Sequence, residues 1–517
     1  MNRRTLMTSA LAGLLGSSLP LLRRPALAQA APQQAPFSFE TVVERARAAA
    51  MQPFEQPVLA LDGPFADLNY DQYRAIRFRD EERLFGGDGI GGFQMDLMAP
   101  GFYYTDRIEI NVVSDGRAEP LPFSTRFFDF HPRYFPWADG RAPEDVSQDL
   151  SFSGIRFRHP VNRPGVWDEV AVFQGASYFR AVARDTFYGL SARGLAIGTG
   201  GPEAEEFPMF TAFWVHEPAP DARELHMMAL LDSASVSGAF EFRITPGTET
   251  VMQVGAVLFP RTEIETVGIA PLTSMYYFGP DRRTHVDDFR DAVHDSSGLR
   301  IVNGLGERIW RPLRNPAVLE TSAFLDDNPR GFGLVQRPRD FAFYRDAEAH
   351  YEQRPSAWVE PVGDWGPGNV MLFEIPSTEE ILDNIVTFWR PATPLAAGSE
   401  HRFDYRLTWC QEPAEPLPLA RVLATRGGQA VLEEQRPERL MVVDFDLGMI
   451  NFATVEPKIE ASAGEITGVG VTPLPGGNTA RVGFHFHPGD HREIEFRMVL
   501  ESEGEIASEA WVYRWSI

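Results

Sequence analysis

The chain has 517 residues, 48 basic and 72 acidic, for a net charge of −24. A surface this acidic repels phosphate backbones and anionic headgroups, which argues against nucleic acid and membrane as partners, whereas a neutral polymer is not repelled. A single cysteine, Cys410, excludes an intramolecular disulfide, and a single lysine, Lys458, leaves lysine-based covalent chemistry only one carrier.

Residues 1–30 read as a leader. Arg3 and Arg4 precede an apolar run from Leu6 to Leu22, and Ala28-Gln29-Ala30 offers a small-residue cleavage site. Arg23 and Arg24, just before that site, suit the twin-arginine route better than the ordinary secretory one. The expectation is export to a bacterial periplasm, with the net charge falling from −24 to −28 as four arginines leave. The run is too short to span a bilayer, and no later segment is long and apolar enough for a membrane span. The remaining length favours two or more domains.

After a Gln/Ala/Pro spacer, Ser38 is a fair N-cap for a short amphipathic helix, and residues 69–77 read as a second one. From about Gly92 the pattern is mostly period-two, clearest at 107–112, 240–243 and 370–374, with Gly- and Pro-containing turns between. The fold class predicted is all-β: a large antiparallel β-sandwich over residues 36–390, then a smaller immunoglobulin-like β-sandwich over 400–517. The Pro/Ala/Gly segment 390–398 is the expected linker.

Three motif matches carry little. Residues 87–92 contain G-x-G-x-x-G but precede a strand, so nucleotide binding is not expected. Residues 189–194 resemble a nucleophile elbow, yet Arg193 stands where the second glycine is required. His485, His487, Asp490 and His491 could in principle hold a metal, but alternation on one strand more often shows a polar face to water. Neither a metal nor a cofactor is expected.

The most informative stretch is 268–389, which holds four of the ten tryptophans together with many arginines and Asp-bearing turns. Indoles stack on the apolar faces of pyranose rings, while Arg, Asp and Glu satisfy sugar hydroxyls. The alternative is a tryptophan-rich β-core. Within the stretch, Ser377 and Glu380 fit a capping box; one helical turn would place Glu380 and Asp383 on a shared face.

Four segments carry a family resemblance: 175–180 with 188–197, 270–275 leading into 294–299, 309–313, and 328–334 through 354–359. They resemble the periplasmic glucans biosynthesis proteins G and D, which act on osmoregulated β-1,2-linked glucans. The similarity covers the N-terminal domain and weakens after about residue 400; the twin-arginine leader looks more like protein D. The resemblance implies the same two-sandwich architecture and an anomer-inverting hydrolase or transglycosylase acting on β-1,2-glucan polysaccharide. It places the general acid on Asp383 and the base on Asp295, with Glu380 and Tyr351 helping to bind sugar or relay protons. The glycine-rich loop 86–92 departs from the family pattern.

The acid role needs an upward pKa shift of Asp383, which Glu380 one turn earlier could supply. Trp310, Trp358 and Trp365 are the candidate sugar platforms, and Arg354 the candidate hydroxyl clamp. The competing expectation is a non-catalytic glucan-binding scaffold that assists an inner-membrane glucan synthase. It needs the same cleft but no titrating pair. An aldose-epimerase-like enzyme is a third alternative that no residue singles out.

Overall fold

The computed structural model describes residues 36–136, 150–280, 287–414, 418–430 and 438–516, so the leader at 1–30 lies outside the described residues. Residues 37–517 form one compact unit. Helix Phe39–Ala50 starts where Ser38 predicts. The second helix, Tyr70–Arg74, is capped by Asn69, whose Oδ1 accepts from Gln72 N at 3.0 Å. It stops short of the expected Arg77 because Ile76–Phe78 pairs as a strand with Phe128–Phe130.

Two large sheets dominate. A ten-stranded antiparallel sheet includes, in spatial order, Gln94–Met98, Gly154–His159, Asp168–Gln174, Tyr178–Ala181, Ser191–Arg193, Val267–Ser274 and Ile385–Pro391. A fifteen-stranded sheet lies against it. The alternation read from the sequence governs the packing: on Val236–Thr245, Phe240 and Phe242 are buried while Glu241 and Arg243 are half-buried. Phe173 and Phe179 of the first sheet stack at 5.1 Å and meet Phe242 of the second at 5.2 and 5.4 Å. Each such fully buried ring stabilises the sandwich by roughly 1.5–3 kcal/mol.

At the C-terminal end, Arg421–Gln429, Arg439–Asp446, Thr479–His487 and Glu465–Leu474 form a four-stranded sheet. It packs on Val455–Ala461, Glu493–Ser502 and Ala510–Ser516 around Phe445, Phe484, Phe496 and Trp511, a small β-sandwich. The linker at 390–398 does not part the sheets where expected. Strand His401–Cys410, beyond it, inserts between Thr250–Pro260 and Ser356–Val362 in the large sheet. The fifteen-stranded sheet then continues into the C-terminal strands through parallel pairing of Ile309 and Trp310 with Ala510 and Trp511. A period-two pattern tells that a strand exists, not which sheet takes it. Among the described residues no helix is long and apolar enough to cross a membrane.

Candidate active site

Asp295 and Asp383 are 88 residues apart in sequence, and a single short segment, Ser274 to Tyr276, brings them together. It follows the fully buried strand Val267–Ser274. On one side Asn384 N donates to Ser274 O at 3.0 Å. The Asn384 amide then brackets Tyr276, accepting from its N–H at 2.8 Å and donating to its C=O at 3.0 Å. A further bond, Asn384 Nδ2 to Ile375 O at 3.0 Å, closes the loop that carries Asp383. On the other side Tyr276 pairs with His294, and Asp295 N donates to Met275 O at 2.9 Å. Ser274 and Ser296 hydroxyls meet at 2.9 Å. Both aspartates therefore hang from the same three residues.

Asp295 is buried, 7 % exposed. Burial pushes its carboxyl up to about 6, opposed by Arg354 and reinforced by the charges of Asp383 and Glu380. Arg354 Nη1 stands 3.5 Å from Asp295 Oδ1, which accepts no hydrogen bond from the described residues. A buried acceptor in that condition is suited to taking a proton. Behind it, His294 stacks on Tyr276 at 5.0 Å and 4°, and burial drives its pKa down to about 3, so the ring is neutral. Gln336 fixes this layer: its Nε2 donates to His294 O at 2.7 Å and to Tyr351 O at 3.2 Å.

Asp383 lines a cleft of about 480 Å³ together with Tyr104, Gln174, Tyr178 and Arg180. Its side chain is open to solvent at the mouth, yet cleft walls crowd it, and that loss of surrounding water raises its pKa against the pull of Arg180 and Arg193. Both arginines are held in place. Arg180 Nε donates to Ser191 Oγ at 2.6 Å, and Arg193 donates to Thr273 Oγ1 at 2.9 Å and Glu205 Oε1 at 2.7 Å.

Glu380 behaves differently from expectation. The segment after Ser377 is a bend and turn without a helix, and the Ser377 hydroxyl donates to Glu379 O at 2.7 Å. Glu380 instead forms an ion pair with Arg290 Nη2 at 2.6 Å, and Arg290 also holds Asp288 and Asp346. The Glu380 charge raises Asp295 and Tyr351 and is not among the forces on Asp383. Tyr351 is buried beside this group, its phenol pushed far up by burial, with the Glu380 and Asp295 charges adding to the effect.

Arg354 is committed to the protein rather than free as a clamp: it donates to Ala349 O at 3.0 Å and Tyr188 O at 2.6 Å and faces Asp295. The three expected tryptophan platforms are core. Trp310 lies under the Arg337 guanidinium at 3.5 Å, Trp358 under Arg300 at 5.1 Å, and Trp365 packs on Trp389, Phe403 and Tyr405. Gly298 and Gly331 let the backbone approach the Trp310 and Trp358 indoles so closely that a Cβ there would sit 2.3 and 2.5 Å from them. The aromatic residues that do line the cleft are Tyr103, Tyr104, Tyr178 and Phe179. Tyr103 is 82 % exposed, as a stacking platform must be, and Arg193 lies 4.7 Å over Tyr178. The run Gly101-Phe102-Tyr103-Tyr104 was the available signal: an aromatic cluster on a glycine turn is poorly placed for burial. Among the described residues no cluster of His, Cys, Asp and Glu is arranged to hold a metal; His485 pairs with Glu438 at 3.4 Å.

Residues 37–515 match the family model described as "Periplasmic glucan biosynthesis protein, MdoG". The chain belongs to the MdoG family. It is 46 % identical to glucans biosynthesis protein G of Vibrio cholerae serotype O1, over 93 % of this chain and 87 % of that one. It is 45 % identical to the protein of that name from Shewanella frigidimarina, covering 93 % and 85 %, and 44 % to that from Shewanella baltica, covering 93 % and 88 %. Family membership gives this MdoG chain a role in periplasmic glucan biosynthesis. The match runs across both aspartates and through the C-terminal strands, where the sequence resemblance was weak.

Proposed function

We propose that this chain acts on β-1,2-glucan in the periplasm, reached by the twin-arginine route, as an anomer-inverting hydrolase or transglycosylase that shapes the glucan backbone. The observation that supports it is the pair of carboxyls, both raised in pKa and anchored to one segment, with Asp383 lining a cleft that carries the exposed Tyr103 and the half-buried Tyr104 and Tyr178. Asp383, when protonated, donates to the departing glycosidic oxygen. Asp295 takes the proton of the attacking water or sugar hydroxyl, directly or through intervening hydroxyls. Asp295 at about 6 is largely ionised at neutral pH, as a base must be. The Asp383 charge is one of the forces that raise Asp295, and burial raises Asp383 itself; glucan covering Asp383 removes its remaining water and favours the protonated acid.

Linear β-1,2-glucan incubated with the protein, with product masses and anomers followed by NMR, tests this. Asp383→Asn and Asp295→Asn should each cut turnover by about 10²–10⁴-fold while glucan still binds. Wild-type protein that leaves the polymer unchanged at high concentration sinks the enzymatic assignment and leaves a glucan-binding scaffold serving a membrane synthase.

A further inference from the structure

A second cleft, of about 490 Å³, is lined by five arginines: Arg74, Arg77, Arg83, Arg156 and Arg158. On a chain with a net charge of −24 this is a local inversion of sign. Asp96, 1 % exposed, organises three of them: its oxygens accept from Arg83 Nε at 3.0 Å, Arg156 Nη2 at 2.9 Å and Arg158 Nε at 2.9 Å. Glu169 takes Arg156 at 2.8 Å and Arg158 at 3.0 Å, and Asp80 takes Arg83. Three carboxylates thus face five guanidinium groups. Arg74 and Arg77 are exposed and form no ion pair among the described residues; Arg74 lies 5.4 Å over the Tyr70 ring. The cleft keeps two positive charges in surplus, on side chains whose planar N–H forks suit an oxyanion.

Its position ties it to the Asp383 cleft. Across neighbouring strands Arg156 stands opposite Val172, and Val172 opposite Arg180, so all three share one face of the ten-stranded sheet. Val172 and Arg180 line the Asp383 cleft. Two strand spacings, roughly 10 Å, therefore separate the two arginines. The partition between the clefts is thin and polar: the Tyr73 hydroxyl donates to Ala99 O at 2.9 Å and accepts from Gln174 Nε2 at 2.7 Å.

We infer that the arginine cleft is an oxyanion subsite, taking a phosphate- or carboxylate-type group borne on the same sugar chain that crosses Asp383. The sugar-borne origin rests on the proposed function; the anion chemistry does not. Calorimetry on Asp383→Asn protein, at fixed ionic strength, keeps turnover from consuming the probes. These are inorganic phosphate, a linear β-1,2-gluco-oligosaccharide, and the same oligosaccharide carrying one glucose 6-phosphate. The phosphorylated oligosaccharide should bind at least about tenfold more tightly than the neutral one, an advantage lost when Arg74→Ala and Arg77→Ala, both at exposed positions, are combined. Equal binding of the two oligosaccharides overturns the inference, whether or not inorganic phosphate binds. Should the neutral oligosaccharide fail to bind, the glucan assignment of the main cleft falls separately. Phosphate affinity that the double variant removes would then mark a free-anion site and overturn the sugar-borne anion.

Discussion

Asp295 combines a buried carboxyl, an arginine held just beyond hydrogen-bond distance and two nearby negative charges, and the outcome is a group poised close to neutrality. Its folded pKa of about 6 stands above the ordinary 3.8. Between those values the folded chain holds a proton that the unfolded chain releases, so this residue's contribution to stability falls as pH rises through the window and stays low above it. Asp295→Asn should therefore stabilise the protein at pH 8 by up to about 3 kcal/mol, with little difference left at pH 4. Denaturant unfolding at the two pH values checks this. Wild-type turnover should fall as pH drops below about 6, where the base takes its proton. A buried carboxyl that costs stability in this way is the trade expected if Asp295 is the base of the proposed reaction.

At the scale of elements, the loop from Ile375 to Asn384 does what a capped helix was expected to do, by other means. Ser377 and Glu380 satisfied the letter of a capping box, but Arg290, anchored by Asp288 and Asp346, draws Glu380 away. A distant guanidinium is invisible to a local motif. The clamp that matters is Asn384, whose amide makes three hydrogen bonds to Tyr276 and Ile375. Asn384→Ala should cost about 3 kcal/mol in unfolding free energy, at about 1 kcal/mol per bond. Because Asn384 is buried and holds the loop that carries Asp383, on the proposed function the same variant should lower kcat much more than it changes KM. The two aspartates were singled out by the resemblance of their flanking residues, and the structure anchors both to the segment Ser274 to Tyr276. Their supports were not legible, because Asn384 and Gln336 look like ordinary polar residues until the chains they join are adjacent.

Across the whole molecule, the C-terminal sandwich is joined to the large one by sheet continuity and by a buried ion pair. Arg337 donates to Glu509 at 2.5 and 2.9 Å and to Val422 O at 2.6 Å, over the face of Trp310. Both side chains are 5 % exposed. Glu509→Ala leaves that buried guanidinium with only the Val422 carbonyl and Glu412, 3.7 Å from its Nε, and should destabilise the protein by about 3 kcal/mol in equilibrium unfolding. This seam also accounts for Trp310, whose indole belongs to the C-terminal core rather than to the cleft.

By itself the sequence determined the all-β class, the two sandwiches, the first helix and, through its motifs, the family. Alternation of apolar and polar residues is a local property, and a family motif read from a run of neighbouring residues is local too. Tertiary structure alone decided which sheet received strand His401–Cys410, which aromatic residues face the cleft and where Glu380 points. Those outcomes depend on partners far away in the chain. A tryptophan suits a sugar face and a buried core equally well, and only the glycine or arginine packed against it chooses between them.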